Sequence, residues 1–414
     1  MTKLSLLFTF VAGAVLPSAL LAACATDNGD SLHGPQFGPP PERSDGSATE
    51  GSVTDEGGGP TPDGSADGGA DADGATPPTC SAGTVAVLAG TDSTLSGAVQ
   101  LNGGAWTGAA IAGGAAKSAP SLLAFGTGFV GLTRGPSDAL QSVSYTASWS
   151  GATALGSLTT LGTPALAALG ANAQGVYLSG LNTFLRIQNS GASWTTTGDP
   201  VMAMGAPSFG PSAGTIAAAG TDLVFAQDGS DQGLYVQTWN GAAWSTPATA
   251  ISGAGTFNTA PPALVSLPGT FDLVLLYADN TVNHVIGFAT RNATTKAWST
   301  AQVTQATAQT SEAMSAALIS STSVLVAFRG NDGKAYFMTG TLGAAAITWS
   351  APASLVASTV DSAPAVAKGV CGDDAIAVFA SGGQVKATQL RSGAWSSPGP
   401  VTGASGSRVS VATR

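Results

Sequence analysis

Residues 240–247 read Asn-Gly-Ala-Ala-Trp-Ser-Thr-Pro, and this phrase decides the fold because versions of it return along the chain. Seven tryptophans stand in such Gly- or Ser-flanked phrases: Trp106, Trp149, Trp194, Trp244, Trp298, Trp349 and Trp395. By subtraction, the successive gaps are 43, 45, 50, 54, 51 and 46 residues. A period of about 40–50 residues is the size of one four-stranded propeller blade. The spacing therefore predicts an all-β fold, a seven-bladed β-propeller of four-stranded blades.

The rest of each repeat also fits four short strands. Most repeats open with a small-Pro-small phrase, as in residues 119–121, 163–165, 206–208, 261–263 and 363–365, and the sixth has Met314-Ser315 instead. Proline at the first residue of a strand removes no ladder hydrogen bond, so these phrases indicate strand starts. An apolar run such as residues 271–277 follows, with apolar side chains on both alternations. That pattern is typical of a strand covered on both faces.

The two ends of the repeat array complement each other. The first repeat begins directly at an apolar strand, residues 84–88, without a small-Pro-small phrase. The chain ends with a strand phrase, residues 407–412, that has no repeat of its own. We therefore expect the C-terminal strand to complete the first blade and close the ring, which would remove exposed strand edges.

The sequence divides into a signal peptide (1–23), an acidic linker (24–79) and the propeller (80–414). Lys3 and an apolar run too short to span a bilayer precede Leu21-Ala22-Ala23-Cys24. These last four residues resemble the bacterial lipobox, which implies a lipid anchor on Cys24. An ordinary signal cut after Ala23 is the alternative. Ala25, by resemblance to enterobacterial lipoproteins, favours the outer membrane of the cell envelope.

Charge is concentrated in the linker. The chain has a formal net charge of −10, and the linker contributes eleven acidic residues against one base: Asp27, Asp30, Glu42, Asp45, Glu50, Asp55, Glu56, Asp63, Asp67, Asp71 and Asp73 against Arg43. Such a segment is expected to be disordered. The remainder is nearly neutral and has no basic patch, so we expect no nucleic-acid partner. We also expect a monomer without a cofactor or metal.

The cysteines suggest a covalent link between the array's ends. Besides Cys24, the chain has Cys80 and Cys371, which precede the first and last tryptophans by 26 and 24 residues. If the ring closes, they lie in matching places of neighbouring blades, and a disulfide needs Cα atoms within about 7 Å. Two buried free thiols are the alternative.

The candidate ligand-binding residues are polar residues of the turns after the second strand, together with one tryptophan. The seven periodic tryptophans are interpreted mainly as packing between blades, with sugar stacking as the alternative. Trp239 falls outside the period and is a candidate for an exposed contact. Plain turn chemistry is the alternative for the turn residues. The candidates are Arg134, Asp228, Trp239, Asp279, Asn280, Arg329 and Asp332.

The sequence assigns no catalytic residue. His284 is the only histidine after residue 33, and Glu312 is the only glutamate of the repeat region. One triad through His284 is conceivable but lacks an elbow motif. A pair of catalytic carboxylates would have to recruit an aspartate.

The repeated phrases resemble two groups of propellers. The Gly-x-Trp-Ser-x-Pro phrase is similar to the blade ends of bacterial and fungal fucose-associated lectins. Residues 189–194, Asn-Ser-Gly-Ala-Ser-Trp, resemble the Asp box of sialidase-like propellers with Asn in place of Asp. The active residues do not carry over: Arg134, Arg186, Arg291, Arg329 and Arg391 are spread over five repeats, no Tyr–Glu pair is evident, and one glutamate cannot supply a repeating Arg–Glu–Trp set.

These observations predict an envelope lipoprotein whose propeller binds a glycan or a protein. The alternatives are a sialidase-like glycoside hydrolase or lyase, and a non-catalytic structural module of an envelope complex.

Overall fold

The computed structural model describes residues 83–181, 183–191, 193–201, 214–228, 233–246, 248–254, 260–280 and 283–414. The predicted signal peptide and linker, with Cys24 and Cys80, lie outside the described residues, so those predictions stay untested. In the part of the chain described, the strands form seven antiparallel sheets. The 3₁₀ turn Pro136–Asp138 is the single helical segment within these ranges. No helix in them is both long and apolar enough to span a membrane.

The strands follow the chain as blades, labelled A to D from the axis outward. Blade 1 takes β1 (Thr84–Gly90), β2 (Leu95–Leu101) and β3 (Trp106–Ala110) as strands B to D. Blade 2 contains β4 (Ser121–Phe125), β5 (Gly128–Arg134), β6 (Ala139–Tyr145) and β7 (Thr153–Thr159). Blade 3 contains β8 (Ala165–Leu169), β9 (Asn172–Leu178), β10 (Phe184–Asn189) and β11 (Trp194–Val201). Blade 4 contains β12 (Thr215–Ala219), β13 (Asp222–Asp228), β14 (Leu234–Trp239) and β15 (Thr249–Ala250).

Blade 5 contains β16 (Ala263–Ser266), β17 (Phe271–Ala278), β18 (Ile286–Asn292) and β19 (Gln302–Val303). In blades 6 and 7 the outer strand has two segments. Blade 6 contains β20 (Ser315–Ser320), β21 (Ser323–Arg329), β22 (Lys334–Leu342), β23 (Ile347–Trp349) and β24 (Ala353–Thr359). Blade 7 contains β25 (Ala365–Lys368), β26 (Ala375–Ser381), β27 (Gln384–Arg391), β28 (Ala394–Trp395) and β29 (Gly399–Ser405).

The C-terminal strand closes the ring, as predicted. β30 (Arg408–Thr413) pairs antiparallel with β1 and becomes strand A of blade 1, with Val87 opposite Val411. The seven A strands then contact one another in the cyclic order β30, β4, β8, β12, β16, β20, β25 and back to β30. Because each sheet borders a neighbour on both sides, the B strands are buried throughout, and Leu325 and Val326 of β21 are both 0 % exposed.

The periodic tryptophans pack between blades, so the packing interpretation is confirmed. Trp349 of blade 6 lies edge-on to Phe288 of blade 5, with ring centroids 5.5 Å apart, and Trp395 of blade 7 lies in the same way against Phe337 of blade 6 at 5.5 Å. Trp149 of blade 2 lies over Gly97 of blade 1, where a Cβ would come within 2.3 Å of the indole. The glycine is therefore required by the ring that covers it.

The residue after the tryptophan explains the Trp-Ser phrase. In blade 6 the backbone N–H of Ser350 donates to the Thr339 carbonyl at 2.9 Å, and the Ser350 hydroxyl accepts from the Thr339 N–H at 3.0 Å. The same pair of bonds recurs at Ser150, Ser245, Ser299 and Ser396. One serine thus satisfies both backbone groups of strand C where strand D begins.

The antiparallel order sorts the turns onto two faces. The A–B and C–D turns lie on one face, which we call the A–B face. The B–C turns and the connections from strand D to the next strand A lie on the other, the B–C face. The small-Pro-small phrases at 119–121, 163–165, 261–263 and 363–365 line the axial opening on the B–C face, and residues 206–208 lie outside the described residues.

Candidate functional site

The predicted turn residues lie on the B–C face, and the structure uses several of them to hold connections between blades. Arg134 ends β5, pairs with Asp138 at 3.0 Å and donates to the Leu161 carbonyl at 2.7 Å. Lys117 also pairs with Asp138 at 3.0 Å. The hydrogen bond from Lys117 is the main cause of a lowered pKa of Asp138, and Arg134 lowers that pKa further, while burial works to raise it. Arg134 therefore stabilises the path into blade 3.

Arg329 has the matching role in blade 6. It ends β21, donates from Nε to the Val360 carbonyl at 3.0 Å and forms an ion pair with Glu312. Arg134 and Arg329 therefore occupy corresponding places in blades 2 and 6, because each ends its B strand and reaches a backbone carbonyl of the following D–A connection. Glu312, the only glutamate of the repeats, is held by this pair.

The turn of blade 5 is tied to its own backbone. Asp279 Oδ1 accepts from the Val285 N–H at 2.8 Å, and the Asp279 carbonyl lies 3.1 Å from Nδ1 of His284. Asn280 follows in the same turn, and Asp228 ends β13 with its side chain outside the described atoms. Burial, with the Asp279 charge, raises the pKa of Tyr277 to about 12. This phenol is therefore neutral at physiological pH.

Trp239 is not the exposed contact that the sequence suggested. Its side chain is 7 % exposed, and its ring centroid lies 5.7 Å from that of Trp244. The Arg186 guanidinium of blade 3 lies over the Trp239 ring, 4.1 Å from its centroid. The prediction was wrong because Trp239, although outside the period, also points into the interface between blades 3 and 4, where it packs beside Trp244.

The arginines of the described residues do not converge on one cavity. Arg291 is 1 % exposed and binds Asp272 through two hydrogen bonds of 2.9 and 2.8 Å. Arg391 pairs with Asp373 at 2.8 Å. A carboxylate clamp of three arginines is therefore not formed in the part of the chain described, nor does that part hold a cluster of three or more metal-ligating side chains.

A large groove lies elsewhere, between blades 2 and 3, and we call it the blade 2–3 groove. It opens at the A–B face beside the turn of Gly126 and Thr127, runs along β6 and β7, and ends against β10 and β11. Its volume is about 1340 Å³. The range typical of drug-sized ligand pockets is about 300–1,000 Å³. The groove therefore has room for a ligand of several rings.

A bulge in β7 builds the outer wall of the groove. Ala139 of β6 faces Thr159, but Gln141 already faces Ala154, so residues 155–158 span a single partner position. Gly156 at the bulge has φ +62°, a conformation that favours glycine. Leu155 and Leu158 then pack with Trp194 of blade 3. Bulges commonly re-aim side chains in this way.

The groove lining combines aromatic surface with hydroxyl groups and carries no formal charge. Trp194 and Tyr145 are half-buried, and the Tyr145 ring lies 5.3 Å from that of Trp149. Among the described residues, the lining includes no Asp, Glu, Lys, Arg or His. Several lining hydroxyls make no side-chain hydrogen bond within the described ranges: Ser142, Ser144, Thr153, Ser157 and Thr196. The groove therefore offers apolar ring faces and free neutral polar groups.

Sequence reasoning missed the groove because Ser, Thr and Gly in alternating strands look like ordinary solvent-facing positions. Of its lining, residues 189–194 alone drew attention, for their resemblance to the Asp box and for the packing or sugar stacking of Trp194. The β7 bulge depends on a pairing register that residue spacing does not reveal.

Comparison with known proteins supports the fold. No family model matches the chain, and the search of curated proteins found no match. The structure is similar to the BP39L lectin from Burkholderia pseudomallei, with a TM-score of 0.64 and 16 % identity, covering 79 % of this chain and 96 % of the lectin. Two other similar structures have lower scores. One is a fucose-specific lectin from Aleuria aurantia, with a TM-score of 0.46 and 14 % identity, covering 66 % of this chain and 90 % of the lectin. The other is the sialidase NanB, with a TM-score of 0.46 and 10 % identity, covering 63 % of this chain and 64 % of NanB. The similarity to BP39L confirms the expected resemblance to lectin propellers, for the fold alone.

Proposed function

We propose that this protein is a lectin-like binding module that holds a neutral oligosaccharide in the blade 2–3 groove. The observation that carries the proposal is the lining: half-buried Trp194 and Tyr145, free hydroxyls and no charged side chain around about 1340 Å³. An aromatic face suits the apolar face of a pyranose, and neutral hydroxyls match its hydroxyl groups. The similarity to the lectin BP39L is consistent with this proposal.

The uncharged lining also sets the ligand class. A sialylated or sulfated glycan would bring a charge into a groove whose described lining residues include no cation, and an unpaired charge is costly to desolvate. Neutral hexose or deoxyhexose chains avoid this cost. The same argument disfavours the hydrolase alternative, because the groove supplies no carboxylate for acid–base catalysis.

A glycan array that compares neutral with sialylated and sulfated glycans tests the proposal. We expect the purified protein to bind neutral glycans and to leave the anionic ones unbound. Ser157→Trp places a bulky ring in the groove from an exposed position and should abolish the signal. Ala357→Trp, at the same bulge position of blade 6, is the matched control and should bind as the wild type does. Absence of neutral-glycan binding, or equal binding by the Ser157→Trp variant, would refute the proposal.

We further propose that Cys24 carries a lipid anchor and displays the propeller at the bacterial outer membrane. Support comes from the apolar start of the chain and from Leu21-Ala22-Ala23-Cys24. The acidic linker that follows would hold the binding groove away from the membrane. Metabolic labelling with a fatty acid should mark the wild type and leave Cys24→Ser unlabelled. Labelling of both would contradict the assignment.

A disulfide between Cys80 and Cys371 completes the proposal. Cys371 lies beside the turn after β2, with its Sγ 4.0 Å from where a Gly103 Cβ would stand. The preceding residue of that turn, Asn102, bonds Gly83 through its side chain at 3.1 Å and through its backbone N–H at 2.7 Å. Gly83 follows Cys80 by three positions in the sequence, and this closeness in sequence supports the proposed pairing.

A further inference from the structure

A second, smaller cavity lies on the B–C face between blades 5 and 6, and we call it the Asp332 pocket. It has a volume of about 270 Å³. Thr307 and Gln309 contribute from the connection after β19, and Asn331, Asp332 and Tyr336 contribute from blade 6. It is separate from the blade 2–3 groove, with which it shares no lining residue.

The turn that carries Asp332 is held rigidly. The Gly333 N–H donates to the Gly330 carbonyl at 2.9 Å, and the Gly330 N–H donates to the Lys334 carbonyl at 2.8 Å. A Cβ on Gly330 would stand 2.8 Å from the Tyr336 ring, so the turn can lie against that ring only with glycine. The carboxylate of Asp332 is thus held in place before any ligand arrives.

Three side-chain donors of the pocket already make hydrogen bonds. The Tyr336 hydroxyl donates to Asp332 Oδ2 at 2.9 Å, Asn331 Nδ2 donates to the Asn283 carbonyl at 3.2 Å, and Gln309 Nε2 donates to the Ala306 carbonyl at 3.1 Å. Since a carbonyl can only accept, both amide orientations are fixed. The amide oxygens of Asn331 and Gln309 accept no side-chain hydrogen bond among the described residues, and Asp332 keeps lone pairs beyond its bonds with the Tyr336 hydroxyl and, at 3.1 Å, the Lys334 N–H. The pocket therefore holds a carboxylate and two amide oxygens that can accept further hydrogen bonds.

The ammonium group of Lys334 already lies near the Asp332 carboxylate. Lys334 Nζ lies 3.4 Å from Asp332 Oδ2, and the Lys334 side chain is 43 % exposed. So loose and exposed a pair adds little stability, and another cation can replace it. Beside it, the Tyr336 ring is stacked on Phe328 with centroids 5.8 Å apart and planes at 21°.

We propose that the Asp332 pocket binds a primary ammonium group carried by a small ligand or side chain. Three hydrogens on one nitrogen match the carboxylate and the two amide oxygens. An amino sugar and a lysine side chain both carry this group. A neutral sugar does not supply the charge, so the pocket differs in chemistry from the groove.

Titration by NMR tests the proposal, with glucosamine and Nα-acetyl-lysine amide as probes and their N-acetylated and Nε-acetylated forms as uncharged counterparts. Performing it in the Ser157→Trp variant excludes binding of sugars in the groove. We expect saturable binding of at least one amine and at least about tenfold weaker binding of its acetylated form, the size of one lost charge-assisted hydrogen bond. Preference between the two amines identifies the source of the group.

Substitutions locate the binding. Asp332→Asn keeps an acceptor for Tyr336 but removes the charge, and should weaken amine binding at least about tenfold. Asp361→Asn is the matched control, because Asp361 is also a turn carboxylate of the B–C face, bonded to the N–H groups of Gly382 and Gly383 at 3.0 and 2.8 Å. It should leave binding unchanged. No amine binding, equal binding of the acetylated forms, or an unaffected Asp332→Asn variant would overturn the proposal.

Discussion

Ser96 of blade 1 and Ser405 of blade 7 share two hydrogen bonds of 2.9 Å across the seam where the ring closes. The Ser96 hydroxyl donates to the Ser405 carbonyl and accepts from the Ser405 backbone N–H. Gly108 and Gly403 approach nearby, and a Cβ on Gly108 would stand 2.8 Å from the Gly403 backbone. Closure thus joins sheets that are distant in sequence through backbone contact and one serine.

Ser96→Ala should destabilise the propeller by about 1–3 kcal/mol, because it leaves the Ser405 N–H and carbonyl without their partner. Ser321→Ala, at an exposed position in the turn after β20, serves as the control and should change the unfolding free energy by less than about 0.5 kcal/mol. Urea unfolding followed by tryptophan fluorescence measures both. Equal midpoints for the two variants would show that the seam contributes nothing.

Reduction should loosen the same seam if Cys80 and Cys371 are bonded. Cys80→Ser should lower the free energy of unfolding by about 2–4 kcal/mol, since a disulfide between distant residues restricts the unfolded chain. In the wild type, addition of a reductant should produce a similar loss, and in Cys80→Ser it should produce none. Two reactive thiols in the unreduced, denatured protein would contradict the pairing.

Asp272→Asn should be destabilising at neutral pH, by about 1.5–3 kcal/mol, because it removes the carboxylate that Arg291 binds through two hydrogen bonds and leaves the buried guanidinium only Asp222, at 3.6 Å. Burial works to raise the pKa of Asp272, but hydrogen bonds from Arg291 and Lys296 outweigh it and hold the pKa below its usual 3.8. The stabilisation is therefore complete above about pH 4 and is lost as the pH falls through the lowered value.

Urea unfolding at a series of pH values checks this linkage. The difference in stability between wild type and Asp272→Asn should shrink as the pH falls below 3.8. Asp92→Asn is the comparison, because its carboxylate is 73 % exposed in its pair with Arg408 and should show little effect at any pH. A constant difference down to pH 2 would argue against the lowered pKa.

Gly97→Ala tests the tryptophan packing. An added Cβ would collide with the Trp149 indole at 2.3 Å, so we expect a loss of about 1–3 kcal/mol from overpacking. Gly399→Ala is the control, because nothing lies within 4 Å of its Cβ position and its φ is not in the left-handed region. Its stability should be unchanged or slightly raised. If Gly97→Ala has the same melting temperature as the wild type, Trp149 does not constrain the blade 1–2 interface.

Much of the fold could be predicted from the sequence because the tryptophan contact between blades recurs in every repeat, at a regular spacing along the chain. The tryptophan spacing predicted the blade number, and the unmatched strand at 407–412 predicted closure. The side-chain roles were harder, because they depend on partners far away in sequence. Arg134 and Arg329 lie on the predicted face but hold connections, and Trp239 is buried under Arg186.

The binding surfaces were predictable only in part. Asp332 was a candidate from its turn, and it lines a pocket because Gln309 of the neighbouring blade lies beside it. Residues 189–194 drew attention in the sequence but did not predict the blade 2–3 groove, since a bulge in β7 and the half-exposed face of Trp194 depend on strand register and inter-blade geometry.

Calorimetric titration of the neutral oligosaccharide that binds best, into wild type, Trp194→Ala and Trp395→Ala, tests the central claim most directly. Both tryptophans pack between blades, so their loss should destabilise the fold to a similar extent, but Trp194 alone of the two lines the groove. We predict at least about tenfold weaker binding for Trp194→Ala and wild-type affinity for Trp395→Ala. Equal affinity in all three proteins would contradict the assignment of the groove as the saccharide site.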